Sequence, residues 1–265
     1  MSVSVERFGQ GPDLVLLHGW GMNGAVWHGI VPALASRYRV HLVDLPGFGN
    51  SPLAGEVEYS LPWLAGEVEY SLPWLAEEVA AILPEQCHLL GWSLGGLVAS
   101  QLALSHPERL HSLITVASSP CFMARDEWPG IAPKVLAGFN QMLAGDFKQT
   151  IERFLAIQAM GSEHARDDIR QLRHWLAERP APQLAALEAG LGLLAEVDLR
   201  DELTPLSLPW LRVYGRLDSL VPKASIPLLD ERYPSSRSVV LEKASHAPFI
   251  SHPQQFIEII EHFVG

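Results

Sequence analysis

Leu89-Leu90-Gly91-Trp92-Ser93-Leu94-Gly95-Gly96-Leu97-Val98 decides the fold of this chain. An apolar run enters Gly-x-Ser-x-Gly, and small and apolar residues continue beyond it at helical spacing. That is the layout of a nucleophile elbow, a sharp strand-to-helix turn with serine at its tip. The serine backbone in such a turn is strained, and a Cβ at Gly91 or Gly95 would collide with it, so glycine is needed two residues to either side. The strain lifts Oγ clear of the sheet, and the N-terminus of the helix behind it favours developing negative charge. Gly-x-Ser-x-Gly alone arises by chance in many proteins. The strand before it and the helix after it make Ser93 the candidate nucleophile.

Toward the N-terminus, residues 2–8 and 13–17 have strand character, split by the turn Gly9-Gln10-Gly11-Pro12. His18-Gly19-Trp20-Gly21-Met22-Asn23 follows, ahead of a helical pattern over 26–35. A glycine-punctuated His-Gly-x-Gly loop about 75 residues before an elbow serine suits an oxyanion loop, with the Trp20 N–H as one donor and the Leu94 N–H as the second. His18 is expected to hold that loop by hydrogen bonding rather than to move protons. Residues 39–43 form a further strand, left by Asp44-Leu45-Pro46-Gly47-Phe48-Gly49.

Residues 53–63 read Leu-Ala-Gly-Glu-Val-Glu-Tyr-Ser-Leu-Pro-Trp, and 64–74 repeat them letter for letter. Two copies are too few for a solenoid. Ser71-Leu72-Pro73 is a good helix start, with serine as N-cap and proline in the first turn. The equivalent start at Ser60 is interrupted by Gly66 and Pro73. The 53–74 duplication is therefore expected to add a surface excursion within a core loop, at modest entropic cost.

Toward the C-terminus, 94–104 is a helix and 110–117 a strand. From 122 to 199 strand character vanishes, and amphipathic helices are expected at 133–143, 147–160, 164–177 and 182–195. Such an insertion between core strands suits a lid. Strands return at 209–215 and 238–241, and a closing helix covers 253–263. Alternating strands and helices imply an α/β fold, a doubly wound and mostly parallel sheet built from 1–121 and 200–265, with a helical lid at 122–199. In such sheets reactive residues gather beyond the strands' carboxyl ends. Ser93, Asp218 and His246 each sit in such a loop. His246 would take the serine proton, and Asp218 would fix the imidazole tautomer. Asp44, also at a strand end, is the competing acid; Asp218 ranks ahead because Gly-x-x-Asp-x-x-Val-Pro sits where the order of residues requires it.

The 265 residues carry a net charge of -11 with 48% hydrophobic content, enough for one sizeable domain and unsuited to nucleic acid or an anionic membrane surface. No N-terminal signal and no membrane-length apolar run is visible. Cys87 and Cys121 make neither a disulfide framework nor a metal set. A cytoplasmic, monomeric chain is expected.

The order Ser, Asp, His is that of the α/β-hydrolase fold. Leu-Leu-His-Gly-Trp-Gly, Asp-Leu-Pro-Gly-Phe-Gly, Gly-Trp-Ser-Leu-Gly-Gly-Leu-Val-Ala-Ser, the segment 117–131 and Ala-Ser-His-Ala-Pro-Phe-Ile-Ser-His-Pro closely resemble the BioH esterases, the pimeloyl-[acyl-carrier protein] methyl ester esterases of biotin synthesis. The likeness covers nearly the whole chain, and the exact tandem copy is its departure. The resemblance implies hydrolysis of the methyl ester of a pimeloyl chain carried on acyl carrier protein, releasing methanol, with no cofactor. It implies Ser93, Asp218 and His246 as triad, Trp20 and Leu94 as oxyanion donors, and Phe154, Leu155, Ala156, Ile157 and Gln158 along the acyl channel. Carrier proteins are acidic and so is this chain, so docking needs a local basic face. Arg166, Arg170 and Arg173 fall on one side of a lid helix. With Arg153 on the preceding helix, they lie where the family places its carrier contacts. At position 149 the family carries a basic residue; here it is Gln149, with Lys148 beside it. Other hydrolases of this fold, such as a generic short-chain esterase or a carbon–carbon bond hydrolase, and a non-catalytic binding module are the competing assignments.

Overall fold

Among the described residues, seven short apolar-rich runs form one sheet: β1 (Val5–Phe8), β2 (Asp13–Leu17), β3 (Arg39–Val43), β4 (Cys87–Trp92), β5 (Leu110–Val116), β6 (Trp210–Gly215) and β7 (Arg237–Leu241). The computed structural model of the chain describes residues 3–53 and 70–265. Among these, the strand order is β1-β3-β2-β4-β5-β6-β7, parallel throughout except for β1 against β3. Central strands such as β4 and β6 are buried along almost their whole length, as expected where helices cover both faces of a parallel sheet. The covering helices are α1 (Val31–Leu34), α2 (Leu72–Ala80), α3 (Leu94–Ser105), α8 (Ser225–Arg232), α9 (Pro248–Ser251) and α10 (Pro253–Val264). The chain thus has the α/β-hydrolase architecture that the motif order implies.

Local sequence explains most of these boundaries. Ser71 caps α2, its Oγ accepting from Trp74 N at 3.3 Å, with Pro73 in the first turn. The start at Ser60, and most of the duplicated stretch, lie outside the described residues. The helix expected over 26–35 is instead broken into a 3-10 turn (Gly24–Trp27), capped by Asn23, and the single turn α1. Between them the Gly29 backbone packs against the Trp175 ring, and a Cβ there would stand 2.9 Å from it. Tertiary packing overrides the periodicity at this point.

Between β5 and β6 the chain leaves the sheet for α4 (Pro133–Gly145), α5 (Phe147–Gln158), α6 (Ala165–Leu176) and α7 (Leu184–Glu196). Its two ends meet: Cys121 pairs with Asp198, and Leu199 N donates to Pro120 O at 2.9 Å. Ahead of α4, Arg125 and Trp128 exchange both backbone hydrogen bonds across a tight turn, a small hairpin that helical patterning gave no sign of.

Candidate active site

Parallel register sends the carboxyl ends of β4, β6 and β7 to one edge of the sheet, and three side chains meet there. Ser93, between β4 and α3, has φ 54 and ψ −119, the strained backbone that an elbow requires. A Cβ on Gly91 would stand 2.2 Å from Gly95 O, and one on Gly95 2.5 Å from His18 O, so both glycines are required by close backbone approach. The main chain of Ser93 is held on two sides: its N–H donates to Val116 O at 3.0 Å, and its carbonyl accepts from Ser118 Oγ at 2.8 Å. Ala117, with φ 44, makes the turn that carries Ser118 to this carbonyl. Ser118 was not singled out by its sequence; its only signal is its place just beyond a strand's carboxyl end.

His246 Nε2 lies 3.0 Å from Ser93 Oγ, and its Nδ1 lies 2.8 Å from Asp218 Oδ2, with the ring fully buried. A carboxylate can only accept, so the proton sits on Nδ1 and Nε2 is left with a lone pair facing the serine hydroxyl. Asp218 Oδ1 accepts from Leu220 N at 2.8 Å and Val221 N at 3.0 Å, which fixes the carboxylate in turn. Trp92 Nε1 donates to the His246 carbonyl at 2.8 Å. The three residues distant in sequence form one hydrogen-bonded line.

Asp44 does not compete for the imidazole. It is fully buried, and its Oδ1 accepts from Gly24 N at 2.7 Å and from Arg179 Nη1 at 2.6 Å. Its Oδ2 accepts from Asn50 N at 2.8 Å. Arg179 Nη2 stands 2.9 Å from Glu6 Oε2, close enough for an ion pair but misaligned for a hydrogen bond. Asp44 therefore ties the loop after β2, the loop after β3 and the α6–α7 connection into one knot.

The His18–Asn23 loop lies against the elbow, since a Cβ on Gly19 would stand 3.2 Å from Ser93 Cβ. The Trp20 and Leu94 main-chain N–H groups have no hydrogen-bond partner among the described residues. Trp20 Nε1 donates to Leu187 O at 2.8 Å, so the indole is anchored by α7. His18 Nε2 accepts from Leu45 N at 3.0 Å, and its Nδ1 donates to Gly19 O at 2.8 Å. Burial outweighs the pull of nearby Asp44 and lowers its pKa from 6.5 to about 4, so the ring is neutral and structural. The unfolded chain takes up that proton first as pH falls. Stability from this site is complete above about pH 6.5 and is lost progressively toward pH 4, by about 3 kcal/mol in all. Denaturant unfolding at pH 7 and pH 4.5 is expected to show this loss, and His18→Gln to flatten it. An unchanged pH slope in the variant would contradict the assignment.

On α5, Phe154 stacks edge-on against Trp20 at 4.6 Å and against Phe139 at 5.7 Å, and Leu155 is buried. Ile157 is half-buried, whereas Ala156 is exposed. At 100° per residue five consecutive side chains cannot all point one way, and here Ala156 faces solvent while Phe154, Leu155 and Gln158 turn inward. Gln158 is buried with neither amide atom hydrogen-bonded among the described residues. Arg153, Arg166 and Arg170 are exposed on α5 and α6; Arg170 pairs with Asp167 at 2.9 Å, and Arg173 forks onto Glu152.

The fold and this hydrogen-bonded line define the class: the chain is an α/β hydrolase, and the family profile for the alpha/beta hydrolase fold matches residues 12–253. Solved structures agree on the fold. An esterase from Exiguobacterium antarcticum superposes with a TM-score of 0.85 over 99% of this chain and 95% of its own, at 24% identity. A bromoperoxidase from Bacillus anthracis reaches 0.83 over 99% and 95%, at 21% identity. Such different names on one scaffold mean that the scaffold alone does not fix the reaction. Within this fold the chain belongs to the pimeloyl-[acyl-carrier protein] methyl ester esterase family. It is 96% identical to the member from Aeromonas hydrophila over the full length of both chains. It is 53% identical to that of Klebsiella pneumoniae, over 96% of this chain and 94% of the other.

Proposed function

We propose that this protein is a serine esterase that hydrolyses the methyl ester of pimeloyl-[acyl-carrier protein], yielding methanol and the free acid on its carrier for biotin synthesis. The observation that carries this assignment is the Ser93–His246–Asp218 line in a chain 96% identical to a protein of that name. Ser93 Oγ attacks the ester carbonyl as its proton passes to His246 Nε2. Charge on the carbonyl oxygen is met by the Trp20 and Leu94 N–H groups, which are unoccupied among the described residues. The tetrahedral adduct collapses as His246 returns the proton to the departing methoxy oxygen, giving methanol and an acyl-serine. Water, deprotonated by the same imidazole, then releases the acid. Asp218 holds the imidazolium throughout.

Residues 122–199 serve as the lid over this edge. The Phe154–Trp20 stacking and the Arg179–Asp44 pair support that role. Phe154, Leu155 and Ile157 form the apolar wall for the acyl chain, and the unpartnered Gln158 amide is assigned to bound substrate. The two free buried thiols suit a reducing, cytoplasmic setting.

Arg153, Arg166 and Arg170 form the carrier-docking face, overcoming locally the repulsion between two acidic proteins. Arg170 is highly exposed, so its pair with Asp167 contributes little stability and leaves it available. Arg170→Glu is expected to lower kcat/KM for the carrier-linked methyl ester by about tenfold at low salt, with a weaker salt dependence. Hydrolysis of p-nitrophenyl acetate should stay unchanged. Equal rates for carrier-linked and simple esters in the unmodified protein would favour a generic short-chain esterase instead.

A further inference from the structure

α5 touches both halves of the candidate machinery. Its Phe154 ring lies against Trp20, while its end reaches the loop of the base. Helix-terminal carbonyls have no partner within the helix, and here Gln158 O and, two residues past the helix, Met160 O find theirs in the loop after β7. Gln158 O accepts the main-chain N–H of His246 at 3.2 Å, and Met160 O accepts the buried Ser245 hydroxyl at 2.8 Å. Gly161, with φ 89, turns the chain at this point, and a Cβ there would stand 3.2 Å from Leu217 Cβ, next to Asp218. With Trp92 Nε1 on the carbonyl of His246, the main chain of this residue is clamped between the elbow strand and the end of α5. The imidazole must keep 3.0 Å to Ser93 and 2.8 Å to Asp218 at once, and displacements near 1 Å are costly to such a geometry.

We infer that Ser245 is a positioning residue: through its hydrogen bond to Met160 O, the end of α5 holds His246 in register with Ser93, so that an acyl chain packed on α5 steadies the base. This rests on the assignment of His246 as base and α5 as acyl wall. The hydroxyl touches no reacting atom; it acts by joining the inserted helices to the base. Short acyl groups that do not reach α5 gain less from this coupling than long ones.

The test is Ser245→Ala in the full chain, assayed with p-nitrophenyl acetate and p-nitrophenyl hexanoate. For the hexanoate, kcat is expected to fall about tenfold with KM within about twofold, a loss of transition-state stabilisation rather than of binding. The acetate should lose less. In proton NMR spectra, the downfield resonance of the His246 Nδ1 proton should broaden or shift. Unchanged kcat with an unmoved resonance, or a raised KM at constant kcat, would overturn the inference. Gly161→Ala, at φ 89 beside Met160, strains the turn that presents Met160 O and brings a Cβ against Leu217; it carries the same expectations, so it decides the matter if Ser245→Ala does not fold. Absence of esterase activity from the unmodified protein would instead strike the proposed function, and so the two failures are distinguishable.

Discussion

Ser93→Ala is expected to lower kcat for ester hydrolysis at least ten-thousandfold and to abolish labelling by a fluorophosphonate probe, while thermal unfolding stays close to that of the parent chain. Alanine keeps the Cβ, so the backbone at φ 54 is held by the same bonds to Val116 and Ser118. Only the 3.0 Å contact to His246 Nε2 is lost. The residual rate would come from the two N–H donors and from binding, since a triad acts as a unit. Asp218→Asn is expected to cost about ten-thousandfold in kcat by a different route. The amide no longer demands a proton on Nδ1, so the Nε2 lone pair that faces Ser93 is no longer assured. Steady-state hydrolysis, probe labelling and unfolding curves on both variants check this. A Ser93→Ala protein that still takes the probe would remove Ser93 from the reaction.

Arg179→Met is expected to carry the largest stability loss, about 3–5 kcal/mol, because it leaves the Asp44 carboxylate buried beside only main-chain donors. Both side chains are almost wholly shielded, so solvent does little to screen the broken pair. Glu6, partly exposed, loses a partner at smaller cost. Asp44→Asn in the Arg179→Met background should recover part of the loss, because an amide costs less to bury than an unpaired charge and can still accept from Gly24 N or Asn50 N. Denaturant unfolding of the two single variants and the double variant gives the coupling directly. A single-variant loss below about 1 kcal/mol would place the pair among surface ion pairs in its energetics. Activity is expected to fall along with stability, since the same knot anchors the loop that carries Trp20.

Much of the fold was legible from local pattern, and the limits of that legibility follow from what local pattern encodes. Apolar runs of strand length alternating with helical periods mark β1 to β7, α2 to α7 and α10 within a few residues, because burial on both sheet faces writes itself into composition, whereas α8 (Ser225–Arg232) was not anticipated. The break between Gly24–Trp27 and α1 was not legible: Gly29 between them lies against the ring of Trp175, well over a hundred residues away, a neighbour that local pattern does not encode. The hairpin at Arg125–Trp128 was missed for want of the usual Asn-Gly or Gly-Gly turn signal.

At the site the division is similar. Chemistry restricts a nucleophile, a base and a glycine-flanked elbow to a few residue types at set places along the chain. Sequence order alone therefore pointed to Ser93, Asp218 and His246 as candidates, and these are side chains that the fold brings within hydrogen-bond distance of one another. Which acid lies against the imidazole was visible only in the fold: Asp218 does, while Arg179, Gly24 and Asn50 close around Asp44. Which of five consecutive α5 residues face inward was decided by the rotation of one helix, which buries Phe154 and exposes Ala156. Ser118 and Ser245 likewise owe their positions to carbonyls that only the folded chain brings within reach. Residue identity sets which reactions are available, but partners and directions are properties of three-dimensional neighbourhood, to which sequence separation is blind.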